Sequence, residues 1–313
     1  MKTNTSRSTA SRILVSGDPR SRFHFASAAR ILAESLPPRR LLSTSTKLDK
    51  CQSVGVLARV LYLTPGIFCP AATKGCLASC LGHTSGRMAF QTHTDARDRR
   101  AALYLENPQL FIKRLRAELT LLETDALQYD LRPAVRLNGT SDLRWEWLHP
   151  ELFDDFPQLQ FFDYTKIQVR MLHFLQHRLP KNYHLTFSAD ASNRRHANDL
   201  LQRGGTVAAV FWPELPKTWW NFPVIDGDLH DARFLDPQGV IVGLRAKGLA
   251  RVDTSGFTIR SCQTCGPEAP PLDLVTVIED THRRTIHHCR ICGLRLNASW
   301  IRRAATKARL TAA

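Results

Sequence analysis

Cys69, Cys76 and Cys80 fall within twelve residues, separated by six positions and then three. Three thiolates can hold a [4Fe–4S] cluster and leave one iron open. That open iron is where S-adenosylmethionine chelates in radical enzymes. Lys74-Gly75 permits a sharp loop, and Cys76 and Cys80 can sit one helical turn apart. The spacing is longer than radical S-adenosylmethionine enzymes use. Two other readings of the loop stand beside the cluster: a zinc site completed by His83 or Cys51, and three uncoordinated thiols.

A second set of cysteines has a different chemistry. Cys262-x-x-Cys265 and Cys289-x-x-Cys292 are separated by 23 residues, and Gly266 and Gly293 directly follow each pair. Two such knuckles place four thiolates tetrahedrally around Zn. Four sulfurs leave no open position, so the expected role is structural. His282, His287 and His288 could each replace a sulfur, but four cysteines suffice.

These groups need a frame. Val54–Leu63 has the β-branched content of a strand and stops at Thr64-Pro65-Gly66, just before the cysteine loop. Asn107-Pro108 predicts a helix start, an N-cap followed by proline at the first helical position. Ile112, Leu115, Leu119 and Leu122 then repeat at helical spacing. Short apolar runs follow at 134–137, 159–162, 183–187, 206–211 and 240–244. The first four start roughly 20–26 residues apart, room for a crossover helix in each repeat.

The expected class is therefore α/β. Its core would be β/α-barrel-like, of the radical S-adenosylmethionine type and complete or incomplete as a barrel, with a small C-terminal zinc-ribbon-like module. A doubly wound open sheet is the structural alternative. Polar residues just past the strand ends would line the barrel mouth. Asn138, Ser141, Asp142 and Glu146 form one such cluster, and Asp163, Tyr164 and Lys166 a second, with Ser188 after the next strand. Helix capping by Ser141 or Asp142 is the plainer explanation of either residue alone. Asp226 and Asp228 head an acidic stretch that includes Asp231 and Arg233. That stretch reads as a cation or ribose site, or as a loop neutralised by arginine. Trp212, Trp219 and Trp220 could stack on a base, though packing explains them more simply.

Charge is unevenly placed. The chain of 313 residues carries a net +15, of which residues 1–50 hold +7 and residues 281–313 hold +8, leaving the middle neutral. Basic ends of this kind read as phosphate-contacting arms for nucleic acid, or as solubilising tails. The expected organisation is a basic disordered arm over 1–40, the barrel-like domain over 41–256, and the four-cysteine module with a basic tail over 257–313. No apolar run is long enough to span a membrane. Metal-bound thiolates suit a reducing cytoplasm better than a disulfide framework does.

Several stretches taken together resemble the bacteriophage gene product 88 family. They are Phe68-Cys69-Pro70, Cys76-x3-Cys80-Leu81, Arg136 through Asp142, Phe162 through Lys166, Leu185 through Ser188, and Asp226-Gly227-Asp228-x2-Asp231-x-Arg233. The resemblance runs from Leu41 to Gly256 and excludes both basic ends. It implies a phage or prophage origin, hence a host cytoplasm, and transfers no catalytic assignment.

Three functions compete. The first is an iron–sulfur, radical S-adenosylmethionine-like enzyme. In it Cys69, Cys76 and Cys80 hold the cluster, and Asn138, Ser141, Asp142, Asp163, Tyr164, Lys166 and Ser188 line the mouth. Arg245 and Lys247 would meet negative charge on a nucleic acid or nucleotide. The second is a non-catalytic, zinc-dependent nucleic-acid-binding protein. The third is a metal-dependent nuclease built on Asp226, Asp228 and Asp231.

Overall fold

A computed structural model describes residues 38–260 except 85 and 213, and the backbone of 275–279, 285–289 and 295–296. The arm expected over 1–40 falls almost wholly outside these residues. Cys262, Cys265, Cys292 and the basic tail from 297 lie outside them too. Cys289 is described only as the last backbone position of a strand.

Chain contacts divide the protein into two compact units. The first runs to Phe187 and takes back Leu229–Asp236; the second holds Ser188–Asp228 and the chain from Pro237.

In the first unit the strands pair in chain order. These are β1 (Leu42–Ser43), β2 (Val56–Leu61), β3 (Arg132–Arg136), β4 (Gln160–Thr165) and β5 (Tyr183–Ser188). β1 is antiparallel to β2, and β2 through β5 are parallel. Strand β2 is apolar along most of its length, and both β2 and β4 are buried on both faces, as parallel strands are. The crossovers are α-helical. Helix α1 (Thr46–Asp49) precedes β2, and the short α2 (Lys74–Ala78) and α3 (Leu81–Thr84) follow it. Then follow α4 (Gln91–Glu106) and α5 (Pro108–Gln128). Helices α6 (Trp145–Leu148) and α7 (Glu151–Asp155) join β3 to β4, and α8 (Gln168–Leu175) joins β4 to β5.

The expected cap of α5 is present: Leu110 N donates to Asn107 Oδ1 at 3.0 Å, with Pro108 opening the helix. Its apolar stripe, Phe111, Ile112, Leu115, Leu119 and Leu122, is buried. Each of these side chains stabilises the fold by roughly 1.5–3 kcal/mol. A second apolar cluster lies on the sheet. There Leu48, Cys51 and Ala232 pack on Val56, Ala58, Val60, Ala134 and Phe162.

The second unit holds α9 (Arg194–Gln202), β6 (Val207–Trp212), β7 (Thr218–Trp219), β8 (Phe222–Asp226), β9 (Ile241–Arg245) and β10 (Thr258–Arg260). β9 lies between β6 and β8, parallel to both, and β10 also pairs with β6. Farther along, β11 (Val275–Glu279), β12 (Thr285–Cys289) and β13 (Arg295–Leu296) form an antiparallel sheet.

Two expectations are corrected. Among the described residues no closed barrel is formed: the first unit's sheet ends at the two-residue antiparallel β1, and the second unit's at the antiparallel β7. Strand β4 also runs past Phe162 to Thr165, so Asp163 and Tyr164 lie within it rather than beyond its end. Successive strand residues alternate faces, so these two point to opposite sides of the sheet.

Candidate functional site at the carboxyl edge of the first sheet

Parallel strands end together, so the loops after β2, β3 and β4 meet along one edge of the first unit. The cysteine loop is tied there to the turn after β3. Asp142 N donates to Phe68 O at 2.8 Å, and Thr140 Oγ1 donates to Leu63 O at 2.5 Å. Cys69 Sγ lies 3.5 Å from Thr140 O. Gly139 is required at this turn: a Cβ there would sit 2.5 Å from Tyr62 Cδ1 and 2.6 Å from Val60 Cγ2.

The strand-end residues expected from sequence form a buried network on one face. Asn138 Oδ1 accepts from Ser141 Oγ at 2.8 Å, Leu143 N at 2.9 Å and Trp145 Nε1 at 3.3 Å. Asp163 accepts from Asn138 N at 2.6 Å, Asn138 Nδ2 at 3.0 Å and Tyr183 Oη at 2.7 Å. Burial pushes the Asp163 carboxyl up to about 6, against the pull of Arg170, the Tyr183 hydroxyl and the Asn138 N–H. Asp142 accepts from Lys166 N at 2.8 Å and Arg170 Nη1 at 3.0 Å. Arg170 also forks onto Glu146, at 2.9 and 2.8 Å, and contacts the Tyr183 hydroxyl. Most of these polar atoms bond to one another, so the network fixes the turn's shape.

Tyr164 faces the other way, into a cluster the sequence did not announce. Its hydroxyl donates to Asp231 Oδ1 at 3.1 Å, and Lys47 Nζ is 3.0 Å from the same oxygen. Arg136 Nη1 is 3.1 Å from Asp231 Oδ2, and its guanidinium stacks 4.5 Å above the Tyr164 ring. Burial alone would raise the Asp231 carboxyl, but Lys47, Arg136 and Arg233 hold it well below the usual carboxylate range. Arg233 in turn pairs with Asp236 at 3.1 Å. A charged Arg136 near the end of a core strand was the available signal, since a buried guanidinium needs a carboxylate.

The cysteine loop has its own cation. Arg97 on α4 is 1% exposed; it donates to Gly82 O at 2.6 Å, Thr94 Oγ1 at 3.0 Å and Met88 O at 3.1 Å. Burial raises the Cys80 thiol, opposed by the Gly82 N–H and by Arg97. Burial raises Cys69 further, helped by Cys80, Asp142 and Cys76 nearby. Three neighbouring thiols beside a guanidinium bonded to carbonyls and a hydroxyl suit a group of net negative charge. Among the described residues, however, no three His, Cys, Asp or Glu side chains are gathered so that they could hold a metal ion. Cysteine is the ligand type that iron–sulfur clusters take, but among the described residues the three sulfurs are not gathered around one position.

The remaining candidates belong to the second unit. Asp226 is gripped by Arg245 Nη1 at 2.9 and 2.8 Å, and Lys247 Nζ meets Asp228 Oδ1 at 2.8 Å. These two cations therefore meet the chain's own acids. Asp231 is held in the first unit, so the acidic trio is not collected in one unit. Ser188 O accepts from Asn193 Nδ2 at 3.0 Å, closing the turn before α9.

This architecture defines an α/β protein with a parallel sheet and a polar, cysteine-bordered carboxyl edge. The chain belongs to the gene product 88 family, which matches residues 39–267. No curated protein and no solved structure matches it. No helix among the described residues is long and apolar enough to cross a membrane.

Proposed function

We propose that the carboxyl edge of the first sheet is the working site of an iron–sulfur enzyme similar to radical S-adenosylmethionine proteins. The observation that carries this reading is the joining of the cysteine loop to the turn after β3, through the Phe68–Asp142 and Leu63–Thr140 hydrogen bonds. Ligands in parallel α/β sheets bind at that edge. Cys69, Cys76 and Cys80 would hold the cluster, which when bound supplies an electron for reductive cleavage of a sulfonium. Arg97 clamps the loop carrying Cys80 and offsets negative charge there. Asn138, Asp163 and Arg170 keep the adjoining turn in one shape. A structural Zn at Cys262, Cys265, Cys289 and Cys292 completes the reading.

The test is iron, sulfide and zinc content of anaerobically purified protein, with a visible spectrum. About four iron and one zinc per chain, with broad absorbance near ~400 nm, supports it. S-adenosylmethionine cleavage should then be lost in Cys76→Ala. Colourless protein holding zinc alone overturns the reading in favour of the zinc-dependent nucleic-acid-binding protein.

A further inference from the structure

The Asp231 cluster is built asymmetrically. The carboxylate is buried, with its side chain 4% exposed, whereas Lys47 and Arg136 reach solvent at 26% and 21%. The anion thus sits inside, Lys47 and Arg136 are partly exposed, and Arg233 is buried. Counting Arg233 and Asp236, three positive groups face two negative ones. Arg136 has spent only part of its fork. Nη1 goes to Asp231, while the side-on edge made by Nε and Nη2 has a single long contact, Gly139 O at 3.5 Å. Among the described residues Arg136 Nε is buried without a hydrogen-bond partner. The same is true of Thr186 Oγ1, which pairs in register with Tyr164, and of His184 Nε2 two residues before it. Thr186 is completely buried. An unpaired buried donor in a native fold calls for an explanation, an ordered water or a bound ion among them, and a guanidinium's side-on edge is shaped for two oxygens of one anion.

We propose that Lys47 and the free edge of Arg136 bind an oxyanion, a phosphate or carboxylate carried by the substrate. This deepens the reading of the carboxyl edge, on which it rests. One turn serves both parts: Thr140 is bonded toward the cysteine loop and Gly139 toward Arg136. Placed so, the anion anchors a substrate beside the cysteine loop.

Calorimetric titration at constant ionic strength tests it, with inorganic phosphate, AMP, adenosine and succinate as probes. Phosphate and AMP, or succinate, should bind with Kd below about 1 mM, and adenosine should not. Arg136→Lys keeps the charge but loses the fork, and should weaken binding at least about ten-fold. Lys47→Met should weaken it about five-fold or more. Lys47 is partly exposed, so that variant decides the matter if Arg136→Lys fails to fold. AMP and phosphate bound alike place the site on phosphate, and succinate bound tighter places it on carboxylate. No binding by any anion, equal binding of adenosine and AMP, or unchanged affinity in Lys47→Met overturns the proposal. Iron content is read separately. Iron present without anion binding sinks this inference alone, and anion binding by zinc-only protein sinks the iron–sulfur reading alone.

Discussion

Asp231→Asn should be among the most damaging conservative changes in the first unit. Asparagine matches the shape of aspartate but carries no charge. The native carboxylate bonds to Lys47, Arg136 and Tyr164, and Arg233 acts on it through space. Removing one partner of a buried ion pair costs about 3–5 kcal/mol, because the other charge is left uncompensated. Lys47 and Arg136 are partly exposed, and asparagine still accepts one bond, so the lower end, about 3 kcal/mol, applies. For a unit of this size the melting temperature should fall by roughly 6–12 °C. The assay is thermal and urea unfolding followed by far-UV circular dichroism. Lys47→Met should cost about 1 kcal/mol in the native protein and far less beside Asp231→Asn, a coupling of at least about 0.5 kcal/mol. The pH dependence has a definite sign. A carboxyl depressed below its unfolded value, about 3.9, contributes stability that is present above that pH and lost as pH falls toward the folded value. The gap between native protein and variant should therefore narrow below about pH 4. Destabilisation under about 1 kcal/mol, or additive effects in the double variant, would refute the reasoning.

Other outcomes follow from the same geometry. Asp163 has a raised carboxyl, so its ionisation opposes folding: its contribution is lost as pH rises from about 4 to about 6, a change of about 3 kcal/mol that Asp163→Asn should remove. Comparative urea midpoints at pH 4.5 and 7 check this, and a pH response unchanged by the substitution would contradict it. Gly139→Ala should cost about 1–3 kcal/mol, because its Cβ must displace Tyr62 and Val60; a neutral effect in urea unfolding would show that the turn yields. Arg97→Met should release the loop around Gly82 and Met88, read as faster proteolysis near residues 81–90 with the rest of the unit protected. Equal cleavage in both proteins would mean the clamp is idle.

Local chemistry was legible in the sequence and distant pairing was not. The α5 cap could be read because Asn107 and Pro108 act on their own helix start. The strand runs could be read because parallel strands need continuous apolar stretches. The end of β4 was misplaced because hydrophobicity stops at Phe162 while the backbone pairing continues. Asp163 is tolerated there only through Asn138 and Tyr183, which come from elsewhere in the chain. Helix α4 went unnoticed because its buried side includes Arg97 and Arg100, whose guanidiniums reach carbonyls instead of forming an apolar stripe. The Asp231 cluster joins positions 47, 136, 164 and 231, and no spacing rule connects those.

The return of Leu229–Asp236 to the first unit bears on how the chain is made. A ribosome emits about 5–20 residues per second, and domains tend to fold as they emerge. Strands β1 through β5 are complete once Ser188 has been added, yet Asp231 is still some forty residues away. Until it arrives Lys47 and Arg136 lack the carboxylate that neutralises them, Asp231 N is not there to meet Cys51 Sγ, and Phe234 does not cover Phe162. The first unit therefore waits on part of the second being synthesised. A nascent chain stalled near residue 190 should hold its sheet open, and a fragment ending there should need to be carried past Asp236 before it refolds.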